Sequence, residues 1–212
     1  MRTASPAPRT GSYYLANAGS PSAIYAQFDV TGGSNDVYVA AANYPVSNSS
    51  NQRIRAVQAG VVLCEVRWNG ATRCWDAYVN NVLVKSGSII VSVAKWHHIQ
   101  VRFRIADAGS NPGYIQTYID GNLDINYEGD TMPGISGTLN KIHIGTTGGA
   151  TYWDDIVVGT GGWPGDIRFD VKKPKADDSN SWELSAGADA YALVDEIPPS
   201  DTDYIIMEKD FS

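Results

Sequence analysis

The run from Trp96 to Gly159 decides the fold. It holds WHHIQVRFRI (96–105), YIQTYIDGNLDI (114–125), KIHIGTT (141–147) and TYWDDIVVG (151–159), separated by stretches rich in Gly, Asn, Asp and Pro. In the first, Ile99, Val101, Phe103 and Ile105 alternate with His98, Gln100, Arg102 and Arg104. A period of two places one set on a buried sheet face and the other toward solvent. Asp120-Gly121 is a hairpin signal, because a type I′ turn needs positive φ at both central residues. Any chemistry is therefore expected on sheet faces and strand-connecting loops, not at helix ends.

The pattern extends toward the N-terminus. YYLANAG (13–19) reads as a first strand, and AIYAQFDV (23–30) and DVYVAAANY (36–44) alternate clearly, with TGGSN (31–35) as the turn between them. PVSNSSNQ (45–52) lacks periodicity and reads as a surface loop. QRIRAVQ (52–58) and VVLCEVRW (61–68) follow. Turns at Asn69-Gly70 and Asn80-Asn81 then make Val61–Ser86 a three-stranded meander. No segment of ten or more residues carries an apolar stripe at period 3.6. About eleven to thirteen short antiparallel strands mean an all-β sandwich or barrel.

Composition sets limits on function. The chain has 212 residues, 43% of them apolar and 10% aromatic, which is ordinary for a folded protein. No run approaches the roughly 20 apolar residues that cross a bilayer as a helix, so no membrane insertion is expected. MRTASPAPRTGS (1–12) lacks the apolar core of a secretory signal and reads as a polar extension without an export route. Residues 170–212 carry eleven Asp/Glu and four Lys, so the whole net charge of -7 lies there and residues 1–169 are neutral. A neutral body argues against a nucleic-acid surface, which would show a clustered basic patch. The acidic segment keeps Trp182, Tyr191, Ile197 and Tyr204, more apolar surface than a solvated tail holds. It is expected to be an arm packed on its own domain or on a neighbouring subunit.

Few residues point to catalysis. Cys64 and Cys74 flank the expected Asn69-Gly70 turn nearly symmetrically, which allows a cross-strand disulfide or two packed thiols. Without an export signal, reduced thiols are the default. His97 and His98 face opposite sides of one strand and cannot bind one ion. With His143 they read as strand histidines in local hydrogen bonds. No G-x-S-x-G occurs, and the E-x-D-x-x-E alternation of a retaining sandwich glucanase is absent. Asp120, Asp154 and Asp155 are the alternative, a loop calcium site, against ordinary turn and edge hydrogen bonding. The reading is therefore a non-enzyme, with no catalytic, cofactor or metal residues. Of the six Trp, most are expected to fill the core, with a sugar-stacking platform as the minority reading.

The order W-H-x-I-x-V-x-F, Y-I-D-G-N, K-I-H-I-G, Y-W-D-D-I-V-V across 96–158 resembles the concanavalin A-like (laminin-G-like) jelly roll, a resemblance spanning about residues 11–160. GDIRFDVKKP (165–174), DDSNSWEL (177–184) and DAYALVDEIPPSDTDY (189–204) resemble the segment that follows such jelly rolls in structural proteins of tailed bacteriophages. The resemblance implies an antiparallel two-sheet jelly-roll β-sandwich over 13–160, preceded by the extension 1–12 and followed by an acidic C-terminal arm over 161–212. It implies a virion protein displayed on the particle, as a head decoration, head fibre or tail appendage, assembled in the host cytoplasm. Its partners would be other virion subunits, including copies of itself, and Trp182, Tyr191, Ile197 and Tyr204 would carry the arm's contacts. The alternative is a carbohydrate-binding module that adsorbs to host glycans; a polysaccharide-degrading enzyme stands behind both.

Overall fold

A computed structural model describes residues 24–106, 111–132, 134 and 137–166, with 15–18, 183–184 and 205–206 described by their strand pairing alone. The chain divides into two compact units, residues 1–168 and 169–212. The first is a two-sheet antiparallel sandwich. Its strands are β1 Leu15–Ala18, β2 Ile24–Ser34, β3 Asp36–Pro45, β4 Gln52–Gln58, β5 Val61–Asn69 and β6 Cys74–Val79. They continue with β7 Val82–Ser86, β8 His97–Arg104, β9 Gly113–Ile119, β10 Asn122–Gly129, β11 Leu139–Thr146 and β12 Ala150–Gly159. Sheet A runs β1-β12-β3-β8-β9-β10 and sheet B runs β2-β11-β4-β5-β6-β7. In the second unit, β13 (Glu183–Leu184) pairs antiparallel with β14 (Ile205–Ile206). The described residues contain no helix.

The alternation read from sequence is the one the sheets use. Val37, Val39, Ile99, Val101 and Phe103 of sheet A pack against Ile54, Val66, Ile142 and Ile144 of sheet B, all essentially inaccessible. Trp68, Trp75 and Trp153 are fully buried, and the rings of Trp75 and Trp153 meet 6.4 Å apart between the sheets. Core filling thus accounts for three of the tryptophans. Trp96 is half-buried, Trp163 is exposed, and Trp182 lies outside the described residues.

Turn chemistry holds at two positions, fails at a third and is tighter than expected at a fourth. Asn80-Asn81 has φ of 44° and 66°, and Asp120-Gly121 has 49° and 83°, both as a type I′ hairpin requires. Asn69-Gly70 does not close a two-residue turn. The loop is Gly70–Arg73, shut by the Arg73 amide donating to the Asn69 carbonyl at 2.6 Å and capped by Asn69 Oδ1, which accepts from the Ala71 amide at 3.1 Å. That longer loop shifts the register, so Cys64 pairs with Val79 and Cys74 with Asn69. Of the two cysteine readings, the disulfide is therefore not the one realised. Both are buried reduced thiols, Cys64 donating to the Thr131 carbonyl at 3.1 Å. TGGSN does hold the turn, but a tighter one than its five residues suggest: β2 continues through Gly32 and Gly33, and the chain reverses around Asn35.

Candidate functional site

On sheet B, the inward positions of β4, β5, β6 and β11 are apolar apart from Gln52 and Thr146 at the end of the β4–β11 ladder, so their alternate positions form one outer face. Register assigns that face in rows. One row crosses the sheet as Gln27, His143, Arg55, Glu65 and Tyr78; the next crosses as Tyr25, Gly145, Arg53, Arg67 and Asp76. Four strands therefore contribute R-x-R, E-x-R, D-x-Y and Y-x-Q pairs to a single surface, and β11 adds His143.

Glu65 is the hub. It is 4% exposed, and its Oε2 accepts from Arg53 Nη1 at 3.3 Å and Arg55 Nε at 3.0 Å, while Oε1 accepts from Arg67 Nη2. Burial alone would raise the Glu65 pKa, but the hydrogen bond from Arg67 and the charges of Arg55 and Arg67 outweigh it and hold the carboxyl below its ordinary value. Arg67 also bonds Asn81 and lies 3.9 Å above the Tyr78 ring; Arg55 lies 4.5 Å above the Tyr25 ring. Asp76 is held by Asn69 Nδ2 at 3.0 Å, and Lys141 pairs with Asp29 at 3.5 Å toward the side of the face. Around Glu65, three guanidiniums meet one carboxylate. Each guanidinium has five N–H donors, and the Nε of Arg53 and of Arg67 are buried with no partner. The surplus of positive charge and of planar donor forks suits a carboxylate, sulfate or phosphate.

Tyr25 and His143 stand beside this cluster, rings stacked with centroids 5.9 Å apart and planes 28° from parallel. Burial raises the Tyr25 pKa against the opposing charges of Arg55 and Arg53. Burial, with the charges of Arg55 and Lys141, lowers that of His143. At neutral pH the pair is a phenol and a neutral imidazole.

The outer face of sheet A is built differently. Arg102 makes a bidentate pair with Asp36 at 2.8 and 2.7 Å and lies near the Tyr38 and Tyr114 rings. Residues after β12 fold back over this sheet, Trp163 packing edge-on against Tyr38 and Tyr118 and the Gly165 amide donating to Gln100 Oε1 at 3.0 Å. A pocket of about 290 Å3 beside them is lined by His98, Gln100, Asp120, Gly121 and Asp166. Here the local-bonding reading of the histidines holds. His97 Nδ1 meets Asp120 Oδ2 at 2.7 Å and its Nε2 meets the Ser92 carbonyl at 3.1 Å, while Asp120 Oδ1 accepts from the His98 amide at 2.8 Å. Asp154 Oδ1 accepts from the Asp155 amide at 2.9 Å, and no group of three His, Cys, Asp or Glu side chains converges on a metal position among the described residues. Trp182, Tyr191, Ile197 and Tyr204, the expected partner contacts, lie outside the described residues.

His143 was expected to be an ordinary strand histidine, and Tyr25, Arg53, Arg55, Glu65, Arg67 and Tyr78 were not singled out. The available signal was the polar half of each alternation: R-x-R in QRIRAVQ, E-x-R in CEVRW, Y-x-Q in IYAQ.

No family model matches this chain, and no curated protein matches it. Solved structures do. An endo-β-1,4-glucuronan lyase from the fungus Trichoderma reesei aligns with a TM-score of 0.51 at 14% identity over 72% of this chain and 83% of that one. The alginate lyase Aly36B aligns at 0.52, with 13% identity over 69% and 80%. A sialidase aligns at 0.54, with 11% identity over 69% of this chain but only 15% of that one. The chain is thus a jelly-roll sandwich of the kind these carbohydrate-active proteins share. The expectation of a non-enzyme is corrected by the two lyases, which are enzymes on this sandwich. It rested on the missing glucanase carboxylates and triads, which are not the only groups by which an enzyme on this fold can act.

Proposed function

We propose that the outer face of sheet B binds an acidic polysaccharide. The observation that carries this is the cluster of Arg53, Arg55 and Arg67 around Glu65, flanked by Tyr25, His143 and Tyr78. Guanidiniums fixed by a buried carboxylate meet a sugar carboxylate without the entropy cost of ordering three long side chains. The sandwich fold shared with glucuronan and alginate lyases supports a carbohydrate ligand. Affinity electrophoresis in gels cast with polyuronates or with neutral glucans tests it. The expected result is retardation by the polyuronates alone, reduced about tenfold or more in apparent affinity by Arg55→Ala or Arg67→Ala. Equal retardation by neutral glucans sinks the reading.

We propose the virion as the setting, on the sequence resemblance of residues 165–204 to the phage segment. A surface component that holds acidic host glycans unites both expectations. Mass spectrometry of purified particles tests it: absence of the chain removes the virion reading, and normal incorporation of a chain lacking 170–212 removes the arm's role.

A further inference from the structure

One end of the sandwich interior is polar. The inward alternation of Ile54 and Ala56 on β4 ends at Gln52, and that of Val37, Val39 and Ala41 on β3 ends at Asn43, both residues buried. In register, Gln52 pairs with Thr146 of β11, Trp68 with Trp75 of β6, and Asn43 with Trp153 of β12. Arg53 pairs with Arg67, so Gln52 and Trp68 are neighbours across β4 and β5. The rings of Trp75 and Trp153 meet between the sheets at 6.4 Å, which brings both polar groups to the same end of the core. Five buried atoms there have no hydrogen-bond partner among the described residues: Gln52 Nε2, Gln52 Oε1, Asn43 Oδ1, Trp68 Nε1 and Trp153 Nε1. Their polar neighbours are already engaged. Asn43 Nδ2 donates to Thr151 Oγ1 at 3.2 Å, Thr146 Oγ1 to the Asn51 carbonyl at 2.9 Å, and His97 is held by Asp120 and Ser92. Buried polar groups in folded proteins bond to protein or to ordered water, and five orphans in one corner are more than a fold leaves unsatisfied.

We propose that this end of the core is a closed hydration site, in which ordered waters bridge Gln52 and Trp68 of sheet B to Asn43 and Trp153 of sheet A. The chemistry of the atoms selects the occupant. The two indoles and the Gln52 amide nitrogen only donate, and the two carbonyl oxygens only accept. A cation does not serve the indoles, an anion does not serve the carbonyls, and an apolar molecule serves neither. Water both donates and accepts. A buried water makes about four hydrogen bonds at most, so these atoms call for more than one. Loops seal the site. The Asn51 amide donates to the Gly148 carbonyl at 2.8 Å, the Thr147 amide to the Asn51 carbonyl at 3.0 Å, and Ser50 Oγ to the Ala150 carbonyl at 2.6 Å. A Cβ on Gly70 or on Gly149 would overlap the backbone of residues 48–50, so the loop after β3 lies hard against the loops on either side. The waters therefore exchange only when this end of the sandwich opens. Gln52 and Trp68 adjoin Arg53 and Arg67 in the chain, which sets the waters behind the arginine face, on the opposite side of the same sheet. Their presence does not depend on what that face binds.

Water-selective Overhauser and rotating-frame spectra of the isotope-labelled full chain test this without any substitution. The indole protons of Trp68 and Trp153, assigned through their own spin systems, are expected to show cross-peaks to water with the sign that marks bound rather than passing molecules. A second measurement reads stability. Gln52→Met keeps the length of the side chain and removes both of its polar atoms. In a hydrated site the waters lose two partners, and the midpoint of thermal unfolding is expected to fall by about 4 °C. In a dry site the same change removes two unsatisfied atoms from the core, and the midpoint rises. Indole protons without water cross-peaks would overturn the proposal, and so would a raised midpoint in Gln52→Met.

Discussion

At the scale of single residues, Glu65 has the largest structural consequence on the face of sheet B. Three guanidiniums close together repel, and the carboxylate at their centre turns that repulsion into attraction. Glu65→Ala removes it and leaves Arg53, Arg55 and Arg67 uncompensated in a largely buried setting. Breaking a buried pair by removing one partner costs about 3–5 kcal/mol, so a loss of about 3 kcal/mol is expected in denaturant unfolding. The pH dependence has a definite sign. The folded pKa lies below the ordinary Glu value of 4.5, so the contribution is complete above that value. It is lost as pH falls through the folded value, because the unfolded chain binds the proton first. Glu65→Gln should flatten this acid limb of the stability curve. An unchanged limb would assign the acid sensitivity to other carboxylates.

At the scale of elements, legibility in the sequence divided between local and non-local order. Asp120-Gly121 and Asn80-Asn81 declared their turns because positive φ is a local demand that few residues meet. Asn69-Gly70 misled because the Asn69 side chain caps a longer loop, and pairing preferences cannot count loop residues. The alternation in β4, β5 and β11 was readable strand by strand. That β11 inserts between β2 and β4, joining His143 to Arg55 and to Gln27, was not, since it depends on pairing of distant segments. The face was thus visible as scattered polar pairs and invisible as a site. The two Gly-containing loops also differ in what they tolerate. A Cβ on Gly121 meets nothing within 4 Å, so Gly121→Ala carries only the left-handed backbone penalty, about 1 kcal/mol. A Cβ on Gly70 would collide with the Asn48 carbonyl oxygen, a backbone atom that cannot swing aside. Gly70→Ala should therefore cost clearly more, about 2–4 kcal/mol, since the loop must shift. Equal unfolding midpoints for the two variants would contradict this packing.

At the scale of the whole molecule, charge is divided as sharply as shape. The net charge of -7 lies within residues 170–212 and the sandwich half is neutral, yet the proposed ligand is an anion. The segment's charge has the same sign as the proposed ligand, so any long-range repulsion between them would be of the kind that salt screens. The Debye length is about 30 Å at 0.01 M salt and about 8 Å at 0.15 M. If the segment's field reaches the arginine face, a chain ending at Arg168 should bind polyuronate more tightly than the full chain at 0.01 M salt, and about equally at 0.15 M. Its thermal unfolding establishes beforehand that the sandwich is intact. The short-range arginine contacts persist in both chains, so Arg55→Ala should weaken both at either salt concentration. A truncated chain that binds no better at 0.01 M would mean that the acidic segment leaves the arginine face electrostatically untouched. A gain that persists undiminished at 0.15 M would mean that the segment obstructs the face by contact rather than by field.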